Sequence, residues 1–355
     1  MSTRRILFLS HSHPFGPFRV GSHHYAAALA RSGADVVHLS TPISLMHRVT
    51  GRVDRASAAV VPRGPHTDTD GVTFLVPRTV LSRPLGPFRV ARELARHGIR
   101  PAFDAVLIDQ PLLWDNSVRM LSDRLIYRPT DNYPSGIKAK LQRQIIEASD
   151  GVIATSTEVL RELGPLSTPT LVLENGVDAA RYASARTDTR PPVCVYVGAL
   201  DGRFDWAQVD SWARAHPEVQ FIIAGPHPAP PSAMASNVQL RGPVPYDMLP
   251  DLLHSARVGL LPLSDDPLNA GRSPMKLYEY LAAGLTVVAR ATPVIRPDHS
   301  AGLFTYPEQD AAARALRDAL AFTSPNSAGI QRAAVESWNA KTAALSQFVR
   351  DLPAR

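Results

Sequence analysis

Short apolar runs alternate with helical stretches twice along the sequence, and this alternation limits the fold more than any other feature. In the opening of the chain, an apolar run at 5–10 is followed by a loop, a helical stretch at 23–32 closed by Gly33, and a second apolar run at 34–39. A strand–helix–strand unit of this kind pairs its strands in parallel through a right-handed crossover. The first half therefore predicts a parallel sheet with helices on its faces.

The rest of the chain repeats the same pattern. Further strands are expected at residues 104–109, 124–127, 151–156 and 170–173, and then at 193–198, 220–225, 258–262 and 285–289. Helices are expected at 138–148, 206–216, 274–283 and 330–350. The fold class is thus α/β, with two Rossmann-like parallel-sheet domains facing a cleft at the carboxyl ends of their strands. The predicted domains are 1–178 and 193–329, joined by a linker at 179–192 and followed by a C-terminal segment at 330–355, while 50–73 reads as a polar surface loop.

Composition excludes several classes of protein. The single cysteine, Cys194, rules out an intramolecular disulfide framework and a thiolate zinc cluster. The apolar run near the N-terminus is too short for a signal sequence, and no run of about 18 apolar residues occurs, so a cytoplasmic protein is expected. The net charge of +6 comes from scattered arginines without interleaved aromatic residues, which argues against nucleic-acid binding.

The most informative motif is SPMKLYEYLAAG at residues 273–284. Pro274 suits the first turn of a helix and Gly284 the position after its end. Lys276 and Glu279 share one face, and a lysine in the first turn opposes the helix dipole unless an anion lies there. We expect Lys276 to contact phosphate and Glu279 to accept hydrogen bonds from a ribose. The alternative is that the two side chains form a solvated pair.

This motif resembles the nucleotide-sugar site of GT-B glycosyltransferases. The stretch YVGALDGRFD at 196–205 is similar to the opening strand and donor-side loop of that family's second domain, and ENGVD at 174–178 is similar to the end of its first. Residues 336–338 resemble the start of the C-terminal helix that crosses back to the first domain. The resemblance places the donor among Ser273, Met275, Lys276, Glu279, Leu200 and Arg203, with Arg203 positioned to neutralise the diphosphate.

The N-terminal half is similar to the xanthan glucuronosyltransferase group, at residues 10–26, 40–42 and 127–133. In that group an aspartate is the general base of an inverting transfer, and Asp131 is the matching position. The alternative for Asp131 is a capping role in the next turn or helix. Many retaining relatives carry an additional glutamate where this chain has Gly271, which also favours inversion.

The loop before the first helix contains further candidates. Gly21, Ser22, His23 and His24 are expected to contact acceptor or phosphate, although a structural role for either histidine is the alternative. The spacing does not fit a phosphate-binding P-loop, because Ser22 stands where that motif requires lysine. Asp68 and Asp70 match the D-x-D tripeptide of metal-dependent transferases but lack the preceding buried strand. We therefore expect no metal and no cofactor beyond the donor.

The resemblance implies transfer of a sugar from a nucleoside-diphosphate sugar, most simply a UDP-sugar, to an acceptor hydroxyl. The acceptor would be a lipid-linked glycan or a small-molecule aglycone. A sugar-nucleotide epimerase of the same architecture and a nucleotide-binding relative without catalysis are the alternatives. Arg89, Arg92, Arg96 and Arg100 fall near one face of an expected helix at 88–100, which is either a solvated basic face or a peripheral contact with the inner membrane surface.

Overall fold

The chain folds as two compact units. The computed structural model describes residues 4–16, 18–46, 59–83, 85–183, 189–226 and 230–354. Unit 1 consists of Met1–Glu174 together with Lys341–Arg355, and unit 2 consists of Asn175–Ala340. The division precedes the predicted linker at 179–192, because Asn175 and Val177 are bonded to Ser273 and Ser337 of unit 2.

Unit 1 contains a mainly parallel sheet. Its strands are β1 (Arg5–Ser10), β2 (Asp35–Ser40), β3 (Ile43–Ser44), β4 (His66–Thr67), β5 (Val72–Leu75), β6 (Arg78–Thr79), β7 (Phe103–Ile108), β8 (Ser122–Tyr127), β9 (Gly151–Ala154) and β10 (Thr170–Val172). The sheet order is β10-β9-β8-β7-β1-β2-β5-β4, and β3 pairs with β6 separately. Because β1 pairs with both β2 and β7, the winding of the chain reverses between β1 and β7. Such a switch point forms a crevice at the carboxyl edge of the sheet.

The helices of unit 1 differ from the predictions in two places, because a short helix at 157–162 was not predicted and the helix predicted at 88–100 is shorter. They are α1 (Gly21–Arg31), α2 (Val90–Arg96), α3 (Gly136–Ala148) and α4 (Thr157–Glu162). The helix expected at 88–100 is shorter, since it ends at Arg96 before Gly98, whose φ is +70°. Arg100 therefore lies off the predicted helical face, and the prediction of four arginines on one face was wrong. The prediction of a surface loop at 50–73 was also partly wrong, because β4 and the start of β5 fall within that range. Residues 50–58 of the range lie outside the described part of the chain.

Unit 2 contains a sheet whose strands are all parallel. The strands are β11 (Val193–Val197), β12 (Gln220–Ala224), β13 (Val238–Arg241), β14 (Val258–Leu261), β15 (Thr286–Arg290) and β16 (Leu303–Tyr306). They follow the order β13-β12-β11-β14-β15-β16, so the switch point lies between β11 and β14. The helices are α5 (Trp206–Ala215), α6 (Leu249–His254), α7 (Met275–Ala282), α8 (Gln309–Leu320) and α9 (Ser327–Ala334).

The C-terminal segment forms two helices where one was expected. After α9, the chain pairs Ser337 with Val177 and then continues as α10 (Trp338–Asp351). The prediction of a single helix at 330–350 was therefore wrong, because helical periodicity does not reveal this strand-like pairing. Residues from Lys341 onward belong to unit 1, where Phe348 packs against Gly151 and the Leu352 carbonyl accepts a hydrogen bond from Arg124.

Tyr280 of α7 anchors the switch point of unit 2. The ring is fully buried and packs on Gly259 of β14, where a β-carbon would overlap it. Its hydroxyl accepts a hydrogen bond of 3.0 Å from the backbone N–H of Val197, at the end of β11. The helix that carries Lys276 and Glu279 is thereby fixed to both central strands.

We expect Tyr280→Phe to destabilise unit 2 by about 1–3 kcal/mol, because the buried N–H of Val197 loses its acceptor. Tyr306→Phe is the matched control, since the buried hydroxyl of Tyr306 has no hydrogen-bond partner among the described residues. Urea denaturation of both variants measures the difference. Equal losses of free energy in the two variants would contradict the anchoring role.

Candidate functional site

The first turn of α7 carries the ammonium group of Lys276. Lys276 is partly exposed, and within the described parts of the chain its Nζ makes no hydrogen bond or ion pair. Burial, and after it the nearby Arg272, lower the pKa of Lys276 to about 8, although Glu279 acts to raise it. A cation held in such a place is stabilised by an anion that comes from outside the protein.

Gly198 makes room for this ammonium. A β-carbon on Gly198 would overlap Cε of Lys276 and would stand 2.7 Å from its Nζ. Gly198 follows the last residue of β11, so Lys276 reaches the carboxyl edge of the sheet at the switch point. The Nζ atom also lies 5.7 Å from the centre of the Tyr196 ring. Glycine at this position therefore serves the lysine side chain and not a special backbone conformation.

Glu279 lies one turn deeper in α7 and is buried. Burial raises the pKa of its carboxyl group, against the opposing effect of Lys276. The hydroxyl of Tyr182 lies near the carboxyl group without meeting hydrogen-bond geometry. A carboxyl group in this setting is able to accept hydrogen bonds from a ligand hydroxyl.

The other residues expected around the donor have additional contacts within unit 2. Ser273 accepts hydrogen bonds from Asn175 at both its hydroxyl (3.1 Å) and its carbonyl oxygen (2.6 Å), which ties the N-G-V-D stretch to the start of α7. Met275 is the first residue of α7, and Leu200 packs near Gly225. Arg203 is held by Asp201, with Nε 3.1 Å from each carboxylate oxygen. A diphosphate at Arg203 would therefore compete with Asp201.

Asp131 lies in the loop after β8, at the carboxyl edge of the sheet of unit 1. It is partly exposed, and its carboxylate has no hydrogen-bond or ion-pair partner in the described ranges. The N-cap of the following helix α3 is Ser135, so the capping alternative for Asp131 does not apply to that helix. Its charge adds to the effect of burial in raising the pKa of Tyr133. Asp131 thus remains available to a ligand.

The candidates expected around the loop before the first helix form the first turn of α1, in the interior of unit 1. Gly21, Ser22, His23 and His24 are all buried. His23 accepts a hydrogen bond from the Val20 N–H at Nδ1 (3.2 Å) and faces the Ser12 carbonyl with Nε2 (3.0 Å). Burial lowers the pKa of His23 to about 3. With both ring nitrogens bonded to the backbone, His23 has the structural role that was the alternative to ligand contact.

Sequence reasoning missed a buried ion pair at the switch point of unit 1. Arg128 contacts Asp109 through two hydrogen bonds of 3.0 Å, and the side chains are only 2% and 1% exposed. Asp109 is the last residue of the strand predicted at 104–109 and Arg128 directly follows the strand predicted at 124–127, which was the only signal in the sequence. Burial raises the pKa of Asp109, while Arg128 acts to lower it.

The acidic D-x-D tripeptide is structural. Asp68 accepts hydrogen bonds from the backbone N–H groups of Asp70 and Val72, and Asp70 forms an ion pair of 2.9 Å with Arg31. In the described part of the chain, no group of three or more His, Cys, Asp or Glu side chains is arranged to hold a metal ion. Over the same residues, no helix is both long enough and apolar enough to cross a membrane.

Comparisons with known proteins identify a similar family and similar folds. Residues 191–342 match the family described as "Glycosyl transferases group 1". A Bacillus subtilis (strain 168) protein, TuaH, provisionally named a teichuronic acid biosynthesis glycosyltransferase, is 22% identical over 227 residues, which span 59% of this chain and 56% of that protein. The chain therefore matches only about half the length of this relative.

Two solved structures share the fold over nearly the whole chain. A glycosyltransferase from Rickettsia africae ESF-5 has a TM-score of 0.69 at 12% identity, with 99% of each chain covered. Anabaena Alr3699/HepE, in complex with UDP and glucose, has a TM-score of 0.64 at 14% identity, with 99% of this chain and 100% of the other covered. The GT-B fold and the resemblance to GT-B glycosyltransferases, both predicted from the sequence, are confirmed.

Proposed function

We propose that the protein is a glycosyltransferase that moves a sugar from a nucleoside-diphosphate sugar to an acceptor hydroxyl. The observation that carries this proposal is the ammonium of Lys276, which has no partner among the described residues and lies at the first turn of α7 beside the switch point of unit 2. Backbone N–H groups of that turn and the ammonium together favour a diphosphate. Glu279, one turn deeper, would accept hydrogen bonds from the ribose hydroxyls.

UDP is the nucleotide that we propose for the donor. The support is the Anabaena structure, which holds UDP and glucose and has the same fold. Met275, Ser273 and Leu200 would lie beside the donor, and Arg203 would contact the diphosphate by partly leaving Asp201. These cations would stabilise the negative charge that develops on the leaving group, so the proposed reaction requires no metal ion.

Asp131 is the residue that we propose as general base. Its carboxylate would take the proton of the acceptor hydroxyl while the hydroxyl oxygen attacks the anomeric carbon. The bond between that carbon and the diphosphate oxygen breaks, UDP leaves, and the configuration at the anomeric carbon is inverted. The support is the position of Asp131 at the carboxyl edge, partly exposed and without a partner among the described residues.

We expect Asp131→Asn to lower turnover by roughly 10²–10⁴-fold, because a positioned base contributes about that much. Affinity for the donor should be unchanged, since the amide is isosteric and Asp131 belongs to the other unit from Lys276. UDP release measures turnover, and calorimetry measures donor binding. Asp123→Asn, an exposed change at the amino end of the same strand, is the control. Near-normal turnover of the Asp131 variant would exclude it as the base.

Lys276→Ala should weaken UDP binding roughly ten- to a hundredfold, since a hydrogen bond to a charged group is worth about 1.5–3 kcal/mol. Gly198→Ala should act in the same direction, because the new methyl group displaces the flexible end of Lys276. Gly202→Ala, in the same loop with open space around its β-carbon, is the matched control. Unchanged calorimetric affinity in the Lys276 variant would contradict its role.

The affinity of the wild-type protein for UDP should also depend on pH. Because the pKa of Lys276 is lowered to about 8, its positive charge is lost as the pH rises through that value. Affinity should therefore be greatest below pH 8 and should fall above it, with a midpoint moved upward by the bound diphosphate. Lys276→Ala should abolish this decline, and a decline of equal size in that variant would assign it to another group.

Two alternatives are separated by the same assays. An epimerase of this architecture would convert the UDP-sugar without an acceptor, and a relative without catalysis would bind UDP but release none from the donor with any acceptor. A screen of UDP-sugars against lipid-linked glycans and small aglycones therefore distinguishes all three functions. Between the two proposed acceptors, a glycan is favoured by the name of the Bacillus relative, which refers to teichuronic acid biosynthesis.

A surface of unit 1 supports a peripheral membrane contact for such an acceptor. Four aliphatic side chains are exposed close together: Leu45 (52%), Val80 (71%), Leu81 (45%) and Leu85 (68%). A hydrogen bond from the Met46 N–H to the Val80 carbonyl places Leu45 beside Val80. The exposed Arg89 and Arg92 follow shortly after Leu85 in the sequence. Aliphatic side chains beside arginines fit an anionic lipid surface.

We expect the protein to co-sediment with vesicles of phosphatidylglycerol and phosphatidylcholine, and less with phosphatidylcholine alone. The double variant Arg89→Gln and Arg92→Gln should bind the anionic vesicles roughly thirtyfold less tightly, since each basic residue near the surface contributes about 1 kcal/mol. Arg314→Gln on α8, an exposed arginine of unit 2, is the control. No binding to either kind of vesicle would reject the membrane contact and leave the transfer reaction untouched.

A further inference from the structure

The buried pair of Asp109 and Arg128 belongs to a larger polar network at the carboxyl edge of unit 1. Arg128 approaches Asp109 through Nε and Nη2, each at 3.0 Å, and its guanidinium carbon lies 5.1 Å from the centre of the Tyr25 ring. The pair bridges the ends of β7 and β8 beside the switch point between β1 and β7. It therefore occupies the floor of the crevice in which open parallel sheets bind ligands.

A chain of hydrogen bonds continues from this pair. The Ser10 Oγ atom lies 3.5 Å from Oδ2 of Asp109 and 2.8 Å from Oγ of Ser22. The Ser22 Oγ atom in turn lies 3.1 Å from Nε2 of His38. A carboxylate only accepts, so Ser10 donates to Asp109, Ser22 donates to Ser10, and His38 donates from Nε2. Every donor in this series of hydrogen bonds points towards the Asp109 carboxylate. The network thereby joins β2, β1, β7 and β8 to the start of α1.

Stability alone is a poor explanation for a buried pair of charges. Removing two ions from water costs several kcal/mol each, and replacement by apolar residues of similar volume is often neutral or stabilising. Buried ionic groups can instead fix one geometry among several close alternatives. The surroundings of this pair support a role in fixing the local geometry.

The loop that follows Arg128 is held in position at Arg128. Asp131 lies three residues after Arg128, and its carboxylate has no anchor of its own among the described residues. The backbone before it is held by Arg128 and by a bond of 3.4 Å from the Thr155 hydroxyl to the Pro129 carbonyl. The position of the Asp131 carboxylate is therefore set through the backbone.

We propose that the Asp109–Arg128 pair is a positioning device that holds the Asp131 loop in the geometry needed for proton transfer. This inference rests on the proposed function, in which Asp131 is the general base. Arg128 and Asp109 are positioning residues, since neither is assigned a contact with the reacting atoms. A displacement of a catalytic group by about 1 Å can cost about 10²-fold in rate.

The test replaces the pair by apolar residues, Asp109→Leu with Arg128→Met, in the full-length chain. We expect kcat to fall roughly 10- to 100-fold while the donor KM stays constant and thermal stability is unchanged or higher. Backbone amides of 130–133 should exchange hydrogen faster. Arg119→Met removes a partner of Asp150 at the amino edge of the same sheet and is the control; it should leave kcat unchanged.

Full kcat in a folded apolar variant would overturn the proposal. If that variant fails to fold, Arg128→Lys keeps the charge but loses the two-pronged contact, and it should show the same faster exchange with a smaller loss of kcat. Unchanged exchange and kcat in Arg128→Lys would also overturn it. Failure of the proposed function is recognised separately, because the wild-type protein would then transfer no sugar, or Asp131→Asn would retain turnover.

Discussion

The arrangement of unit 2 depends on a lysine side chain whose ammonium group has no ion-pair partner among the described residues. Lys276 passes over Gly198 to the end of β11, and any larger residue at Gly198 would occupy the same space. Burial and the nearby Arg272 already weaken the charged form, which lowers the pKa of Lys276 to about 8. Such an environment favours a ligand that brings its own negative charge, and this requirement is the physical basis for assigning a diphosphate to the site.

Both units present the side chains proposed to be functional at the same kind of place. In each sheet the winding reverses between two neighbouring parallel strands, and the carboxyl ends of those strands diverge to leave a crevice. Unit 2 places Gly198 and Lys276 there, and unit 1 places Asp109 and Arg128 there. The two crevices differ in one respect: Asp109 neutralises the cation in unit 1, whereas the cation of unit 2 has no carboxylate partner among the described residues. Anion binding is therefore assigned to unit 2.

Local sequence rules predicted the elements that depend on local interactions. The end of α7 is an example, since Gly284, which was predicted to follow that helix, has a φ of +78°. The rules did not predict β13, an edge strand of four residues that are mostly exposed. They also missed the break before α10, because it arises from pairing with the distant Val177.

The candidate site was likewise predictable only where it depends on residues close together in the sequence. The spacing of Lys276 and Glu279 on one helix is visible in the sequence, whereas the space that Gly198 leaves for Lys276 depends on a contact between residues far apart in the chain. His23 was expected to contact a ligand, but a sequence does not show that its two nitrogens are bonded to the backbone of the same loop.

We propose that unit 2 holds the diphosphate and ribose of a UDP-sugar at α7. A crystal structure of the protein with bound UDP tests it most directly. We expect phosphate oxygens within hydrogen-bond distance of Lys276 Nζ and ribose hydroxyls within hydrogen-bond distance of the Glu279 carboxylate. UDP bound elsewhere, with both side chains free of the nucleotide, would contradict it.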